Sequence, residues 1–250
     1  MFIGKLFYSI YLYGIVVFFW LVNMPIFFLL WLISRPFDHR NKFTHYITAI
    51  WGRMHFLFLF NVKVNLIDKQ KLIKKEACIY LTNHNSYFDI AAVFCIYSDL
   101  LWVSKKENFQ TPILGWVMRM NRYIVIDRKD PKRLQKMMDD CRDALNTGEH
   151  IIIFPEGTRS KTGKLNSFKD GAFLVALDNK VPIVPIVMEG TQHVLPKKGF
   201  LMSPKRFDIS IKVMDPIPYE QFGTNDPKIL KDQLFQVMSK ELEMLRSGKK

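Results

Sequence analysis

"ACIYLTNHNSYFDI", residues 77–90, decides the fold class. An apolar run from Ala77 to Thr82 has the length and content of a buried strand. It then breaks into small polar residues, and "SYFDI" reads as the start of a helix. The same strand signature recurs in "VKVNLI" (62–67), "YIVID" (123–127), "HIIIF" (150–154) and "VPIVPIV" (181–187), with helical stretches between. That alternation predicts an α/β fold with a mixed, largely buried sheet flanked by helices. In one intervening helix, Asp130 is the N-cap and Pro131 the first residue. Leu134, Met138, Cys141 and Leu145 share a face that reads as core without implying a cofactor, and Gly148 lies past the end. A second amphipathic helix covers Pro227 to Leu245.

The 250 residues hold one such domain and an extension at one end. Cys78, Cys95 and Cys141 sit in apolar settings with no close pair. They read as reduced core residues, not as a disulfide framework, a zinc site or a nucleophile, and so point to a reducing compartment. A net charge of +13 favours an anionic partner: nucleic acid, a phospholipid surface or a phosphorylated substrate.

From Leu6 to Ser34 no residue is charged, and "YGIVVFFWLVNMPIFFLLWLI" exceeds the roughly 20 apolar residues that cross ~30 Å of hydrocarbon. The run leads into "SRPFDHR" and not into a small-residue cleavage site, so it reads as a retained, membrane-embedded segment. Asn23 and Pro25 leave two shapes open, a single span or a hairpin dipping into one leaflet. In "FTHYITAIWGRMHFLFLF", Phe43, Ile47, Ile50 and Met54 recur at helical spacing, as in a helix lying at an interface or one facing a core. Residues 1–60 are thus expected to anchor an α/β domain of residues 61–250. Arg35, Arg40, Lys42 and Arg53 follow the apolar run while Lys5 alone precedes it, which places the domain on the cytoplasmic side of a cell inner membrane or another cytoplasm-facing membrane. "LPKKGFLMSPKR" (195–206) reads as a weak interfacial contact and the lysine tail as solvated.

Within the opening stretch, five residues at 3.6 per turn would set His84 and Asp89 roughly 140° apart on one helix, so His84 must precede it. With Ser86 as N-cap, Asp89 becomes the third helical residue and its carboxylate reaches back over the first turn. Two readings remain: a capping box, or an imidazole oriented by Asp89 with its other nitrogen free as a base. In "IIIFPEGTRS" (151–160) a strand runs into a turn where Gly157 offers backbone N–H groups, Thr158 a hydroxyl and Arg159 a planar fork, a set suited to phosphate. The bland alternative is a plain turn with a surface ion pair.

From about Asn61 to Thr191 these stretches resemble the four blocks of the glycerolipid acyltransferase family that includes the 1-acylglycerol-3-phosphate acyltransferases. NHxxxxD is met by Asn83, His84 and Asp89, and FPEGTRS from Phe154 to Ser160. Val181 to Pro185 supply the fourth block. G-x-I-x-I-D-R is met by Ile124, Ile126, Asp127 and Arg128, with Arg122 at the usual glycine. Thr158 departs from the glycerol-3-phosphate acylating branch, which tends to carry a second glycine there.

The resemblance implies transfer of a fatty acyl group from acyl-CoA or acyl carrier protein to the 2-hydroxyl of 1-acylglycerol 3-phosphate, giving phosphatidic acid. His84 is the implied general base, oriented by Asp89. Arg159, with Gly157, Thr158 and Arg128, holds the acceptor phosphate, and Glu156 orders that loop. Lys105 in "SKKENF" is a candidate for the oxyanion, alongside backbone N–H groups. Val181 to Ile186 support the acyl chain or simply pack the core. No cofactor, metal or nucleic acid is implied, and G-x-S-x-G of serine hydrolases does not occur. Two rivals stand beside this reading: acylation of another lysolipid, such as lysophosphatidylethanolamine or a lyso-aminolipid, and a non-catalytic basic protein that binds membrane or nucleic acid.

Overall fold

The computed structural model describes residues 2–195 and 201–248, so residues 196–200 of the basic-apolar stretch and the last two lysines lie outside the described residues. The chain begins with α1 (Phe2–Ser34) and α2 (Lys42–Leu57), then β1 (Val62–Ile67), β2 (Ile79–Thr82) and α3 (Phe88–Phe94). Next come β3 (Leu101–Lys105), α4 (Lys106–Phe109), α5 (Leu114–Met120), β4 (Ile124–Ile126), α6 (Pro131–Asn146) and β5 (Ile151–Ile153). It closes with α7 (Gly171–Asn179), β6 (Ile183–Glu189), α8 (Thr191–Val194), β7 (Phe207–Val213) and α9 (Pro227–Arg246).

Among the described residues the strands form one mixed sheet in the order β1-β7-β6-β2-β5-β3-β4, with β6 and β7 antiparallel and the remaining neighbours parallel. Side chains alternate between its faces, as the strand period requires. Tyr80, Ile152, Val184 and Ile186 meet Ala92, Val93 and Phe94 of α3 on one side. Ile79, Leu81, Ile151 and Ile183 meet Met137, Cys141, Phe173 and Met238 on the other. The mixed, helix-covered sheet agrees with the sequence, which showed five of its strands. β3 and β7 were not foreseen, although Ile209, Ile211 and Val213 of β7 alternate inward.

α6 starts as expected, with Asp130 accepting from the Lys132 N–H at 3.0 Å and Gly148 at φ 80 beyond its end. Its buried face is Met137, Cys141, Ala144 and Leu145, whereas Leu134 is 40% exposed. Leu134 and Met138 instead line an open cavity between α6 and α7. The thiols of Cys78 and Cys141 are free and buried, and burial pushes both up to about 12.

α1 is continuous through Pro25 over 33 residues, and by length and composition it could cross a membrane; at 1.5 Å per residue it runs about 50 Å. Asn23 Nδ2 donates back to the Phe19 carbonyl at 2.8 Å, so its polar group is satisfied within the helix. α2 turns back and packs on α1 through Trp51 and His55 against Phe19 and Phe27. The buried face of α2 is Thr44, His45, Thr48 and Ala49, leaving Phe43, Tyr46 and Ile50 exposed. Of its apolar stripe, Phe43 and Ile50 therefore face outward and Ile47 and Met54 are half-buried, while His45 is clamped between Asp99 at 3.1 Å and the Asn121 carbonyl at 2.9 Å.

Candidate active site

β2 and β5 are parallel neighbours, but the chain leaves β2 for α3 on one face and β5 for α7 on the other. Loops that diverge in this way open a crevice beyond the carboxyl ends of the strands, where ligands of α/β proteins bind. His84 follows β2, Lys105 ends β3, Arg128 follows β4, and Gly157, Thr158 and Arg159 follow β5. All six line one cleft of about 190 Å³, together with Tyr87, Asn108 and Phe154. Five of its residues, Val103, Ile126, Arg128, Ile153 and Phe154, are shared with the larger cavity of about 830 Å³ between α6 and α7.

His84 is held from several sides. Its Nδ1 lies 2.8 Å from Asp89 Oδ2, and the side chain keeps 17% exposure. The same oxygen accepts from the backbone N–H groups of Asn85 at 2.6 Å and Ser86 at 2.8 Å. Ser86 Oγ accepts from the Phe88 N–H at 3.2 Å and not from that of Asp89, so only the carboxylate half of the capping box forms, and the oxygen that makes it also holds the imidazole. The regular helix begins at Phe88, one residue later than Ser86 as N-cap implies. Asn83 fixes the start of the loop by bonding both backbone groups of Met188 in β6.

The two loops are joined through the His84 backbone. Its N–H donates to Glu156 Oε1 at 2.8 Å and its carbonyl accepts from the Ser160 N–H at 2.6 Å. Glu156 is buried, and its other oxygen accepts from the Asn166 backbone and side chain at 2.8 and 2.7 Å. Burial raises its carboxyl to about 7, against the pull of those N–H donors. Glu156 thus braces the loop from below and does not line the cleft.

Arg159 lies 3.8 Å over the ring of Tyr87, which is 61% exposed at the cleft. Gly157 sits at φ 65, where a β-carbon would come within 2.4 Å of the Arg128 guanidinium. Glycine suits the positive φ of this turn and leaves room for the guanidinium to lie against its backbone. Arg122 is apart from the cleft, at φ 56 before β4, donating to the His39 carbonyl. That left-handed conformation explains why glycine is usual at this position, and a side chain there costs roughly 1–2 kcal/mol. Sequence reasoning missed Tyr87, the Phe154 ring stacked on His84 and Asn166, because each matters through a contact that only folding creates.

Chemically, an imidazole held through Nδ1 by a carboxylate presents Nε2 as a base, beside two guanidinium groups and an ammonium suited to phosphate or a developing oxyanion. Among the described residues no group of three or more His, Cys, Asp or Glu side chains is placed to hold a metal.

A profile of the family described as acyltransferase matches residues 63–189, just over half of the chain. The chain is 34% identical to the chloroplastic 1-acyl-sn-glycerol-3-phosphate acyltransferase of Arabidopsis thaliana, over 67% of this chain and 48% of that protein. It is 31% identical to the 1-acyl-sn-glycerol-3-phosphate acyltransferase of Pseudomonas aeruginosa, over 56% of this chain and 54% of that one. It spans about half the length of these curated relatives. Its fold is shared with the crystal structure of the 1-acyl-sn-glycerophosphate acyltransferase of Thermotoga maritima, with a TM-score of 0.83, 23% identity, and coverage of 98% and 97% of the two chains.

Proposed function

The chain belongs to the acyltransferase family, and on that premise we propose that it transfers a fatty acyl group from an acyl thioester to the 2-hydroxyl of 1-acylglycerol 3-phosphate. The observation that carries this reading is the His84–Asp89 pair, 2.8 Å apart, opening into the same cleft as Arg128 and Arg159. Nε2 of His84 takes the hydroxyl proton as the oxygen bonds to the thioester carbon. Asp89 holds the tautomer and faces the imidazolium that results. Lys105 or the loop N–H groups stabilise the tetrahedral oxyanion. The C–S bond then breaks, and the thiolate leaves with the proton from His84, giving phosphatidic acid and free thiol with no acyl-enzyme.

Arg159 and Arg128 hold the acceptor phosphate, Gly157 and Thr158 shape its turn, and Glu156 keeps that turn in register with His84. The donor is acyl-CoA or an acylated carrier protein, and the adjoining cavity lined by Leu134, Met138 and Leu174 offers an apolar place for its chain. α1 and the outward stripe of α2 lie in a cytoplasm-facing membrane, which brings the cleft to a lipid acceptor. The test is product identification from a matrix of lysolipids and donors presented to the full chain in vesicles. Phosphatidic acid as the dominant product supports the reading. Preferred acylation of lysophosphatidylethanolamine or an aminolipid moves the function to another lysolipid.

A further inference from the structure

The His84 imidazole is the end of a run of contacting aromatic rings. It lies 4.1 Å from the Phe154 ring, nearly parallel at 18°. Phe154 is 5.6 Å from Trp102, and Trp102 is 5.6 Å from Phe94. Phe94 then meets Gly52 of α2, where a β-carbon would fall 2.3 Å from the ring Cδ2 and 3.0 Å from Cγ. The backbone of Phe94 is tied to the same helix, for its carbonyl accepts from Arg53 Nε. Phe94 and Trp102 are each 5% exposed, and the Trp102 indole N–H has no hydrogen-bond partner among the described residues, so packing alone orients that ring. These residues come from α2, α3, β3 and the turn after β5, so no local chain geometry brings them together.

We propose that Phe94, Trp102 and Phe154 form a positioning column that sets the plane of the His84 imidazole from α2, with Gly52 as its foot. A close-packed interior passes on a displacement that it cannot absorb. A β-carbon at Gly52 must move the Phe94 ring. Trp102 has no hydrogen bond to resist, and Phe154 carries the shift to a ring stacked face to face upon it. The imidazole still touches Asp89, but Nε2 no longer points where the acceptor oxygen stands. The structure thereby links the helix read as membrane-bound to the catalytic base without any contact between α2 and substrate. The kinetic part of this inference rests on the proposed acyl transfer; the geometric part does not.

The experiment uses the full chain in vesicles and compares the parent with Gly52→Ala, Gly52→Ala combined with Phe94→Ala, and Phe154→Leu. Two readouts are taken: steady-state kinetics, and the NMR resonance of the His84 ring, which the stacked Phe154 ring shifts. Gly52→Ala is expected to move the imidazole resonance and to lower kcat about 10- to 100-fold, the range for misplacement of a reacting group by up to 1 Å, with both KM values unchanged. Phe94→Ala removes Cγ and Cδ2, the atoms that the new methyl meets, and the double variant is expected to move both readouts back toward those of the parent. Phe154→Leu removes the stack and is expected to move the resonance and lower kcat whether or not the Gly52 variants fold. The proposal is overturned if folded Gly52→Ala leaves the resonance in place, if adding Phe94→Ala fails to move it back, or if Phe154→Leu changes neither readout. A resonance that moves and recovers in a parent lacking acyl transfer keeps the column and removes the proposed function.

Discussion

Replacing Asp89 with asparagine removes a charge and little else, which makes it a sharp probe of the catalytic pair. Oδ2 of Asp89 receives the His84 Nδ1 contact and both backbone N–H groups, while buried Oδ1 has no hydrogen-bond partner among the described residues. A carboxamide oxygen standing at Oδ2 keeps all of these contacts, and its NH2 takes the place of Oδ1. Charge-assisted bonds become neutral ones, but the cost of burying a carboxylate disappears, so the net change in stability stays within about 2 kcal/mol. Turnover is affected more. When His84 becomes imidazolium, charge centres about 4 Å apart attract by about 4 kcal/mol at an effective dielectric of 20. At 1.36 kcal/mol per tenfold, losing that attraction slows the chemical step about 10³-fold. The assay is kcat for acyl transfer in vesicles, with thermal unfolding of the same preparation. Turnover within about tenfold of the parent in a folded Asp89→Asn chain would refute the pairing and leave Asp89 as the cap of α3.

Arg159→Lys keeps the charge but loses the two-pronged contact, so KM for 1-acylglycerol 3-phosphate should rise about tenfold and spare an unphosphorylated lysolipid; an equal loss on both acceptors removes Arg159 from the phosphate site. Gly157→Ala places a methyl 2.4 Å from the Arg128 guanidinium at φ 65, so it should raise the same KM and cost more than Arg128→Lys, which kinetics on the two variants will show. Glu156 has a carboxyl raised from 4.5 to about 7, so the folded chain holds an extra proton between those values and stability falls as pH rises through that window. Relative to Glu156→Gln, the parent should lose at most about 3 kcal/mol between pH 4.5 and 8; denaturant unfolding curves that run parallel for the two proteins would contradict this.

The sequence displays what is encoded locally. Asp130, Pro131 and Gly148 mark the ends of α6 because capping depends on neighbours in the chain. The offset of five positions from His84 to Asp89 forces the histidine onto the preceding loop for the same reason. Leu134 was misread because periodicity assigns a helix face without knowing that α7 leaves a cavity beside it. The alternation in β7 is readable afterwards, but β3 offers only a short run ending in polar Ser104 and Lys105. The bracing of Glu156 by Asn166 and the Phe154 stack on His84 join residues 10 and 70 positions apart, and no spacing rule foretells such contacts.

The central claim is that His84 removes the proton of a lysolipid hydroxyl. Its most direct measurement compares the parent with His84→Ala, both in vesicles containing 1-acylglycerol 3-phosphate and supplied with an isotopically labelled acyl thioester. Phosphatidic acid and released thiol are quantified against the amount of membrane-bound, folded protein. The account predicts equal amounts of the two products from the parent, and a rate at least ~10²-fold lower from His84→Ala at the same membrane-bound fraction. Labelled phosphatidic acid formed at nearly the same rate by both proteins would contradict it.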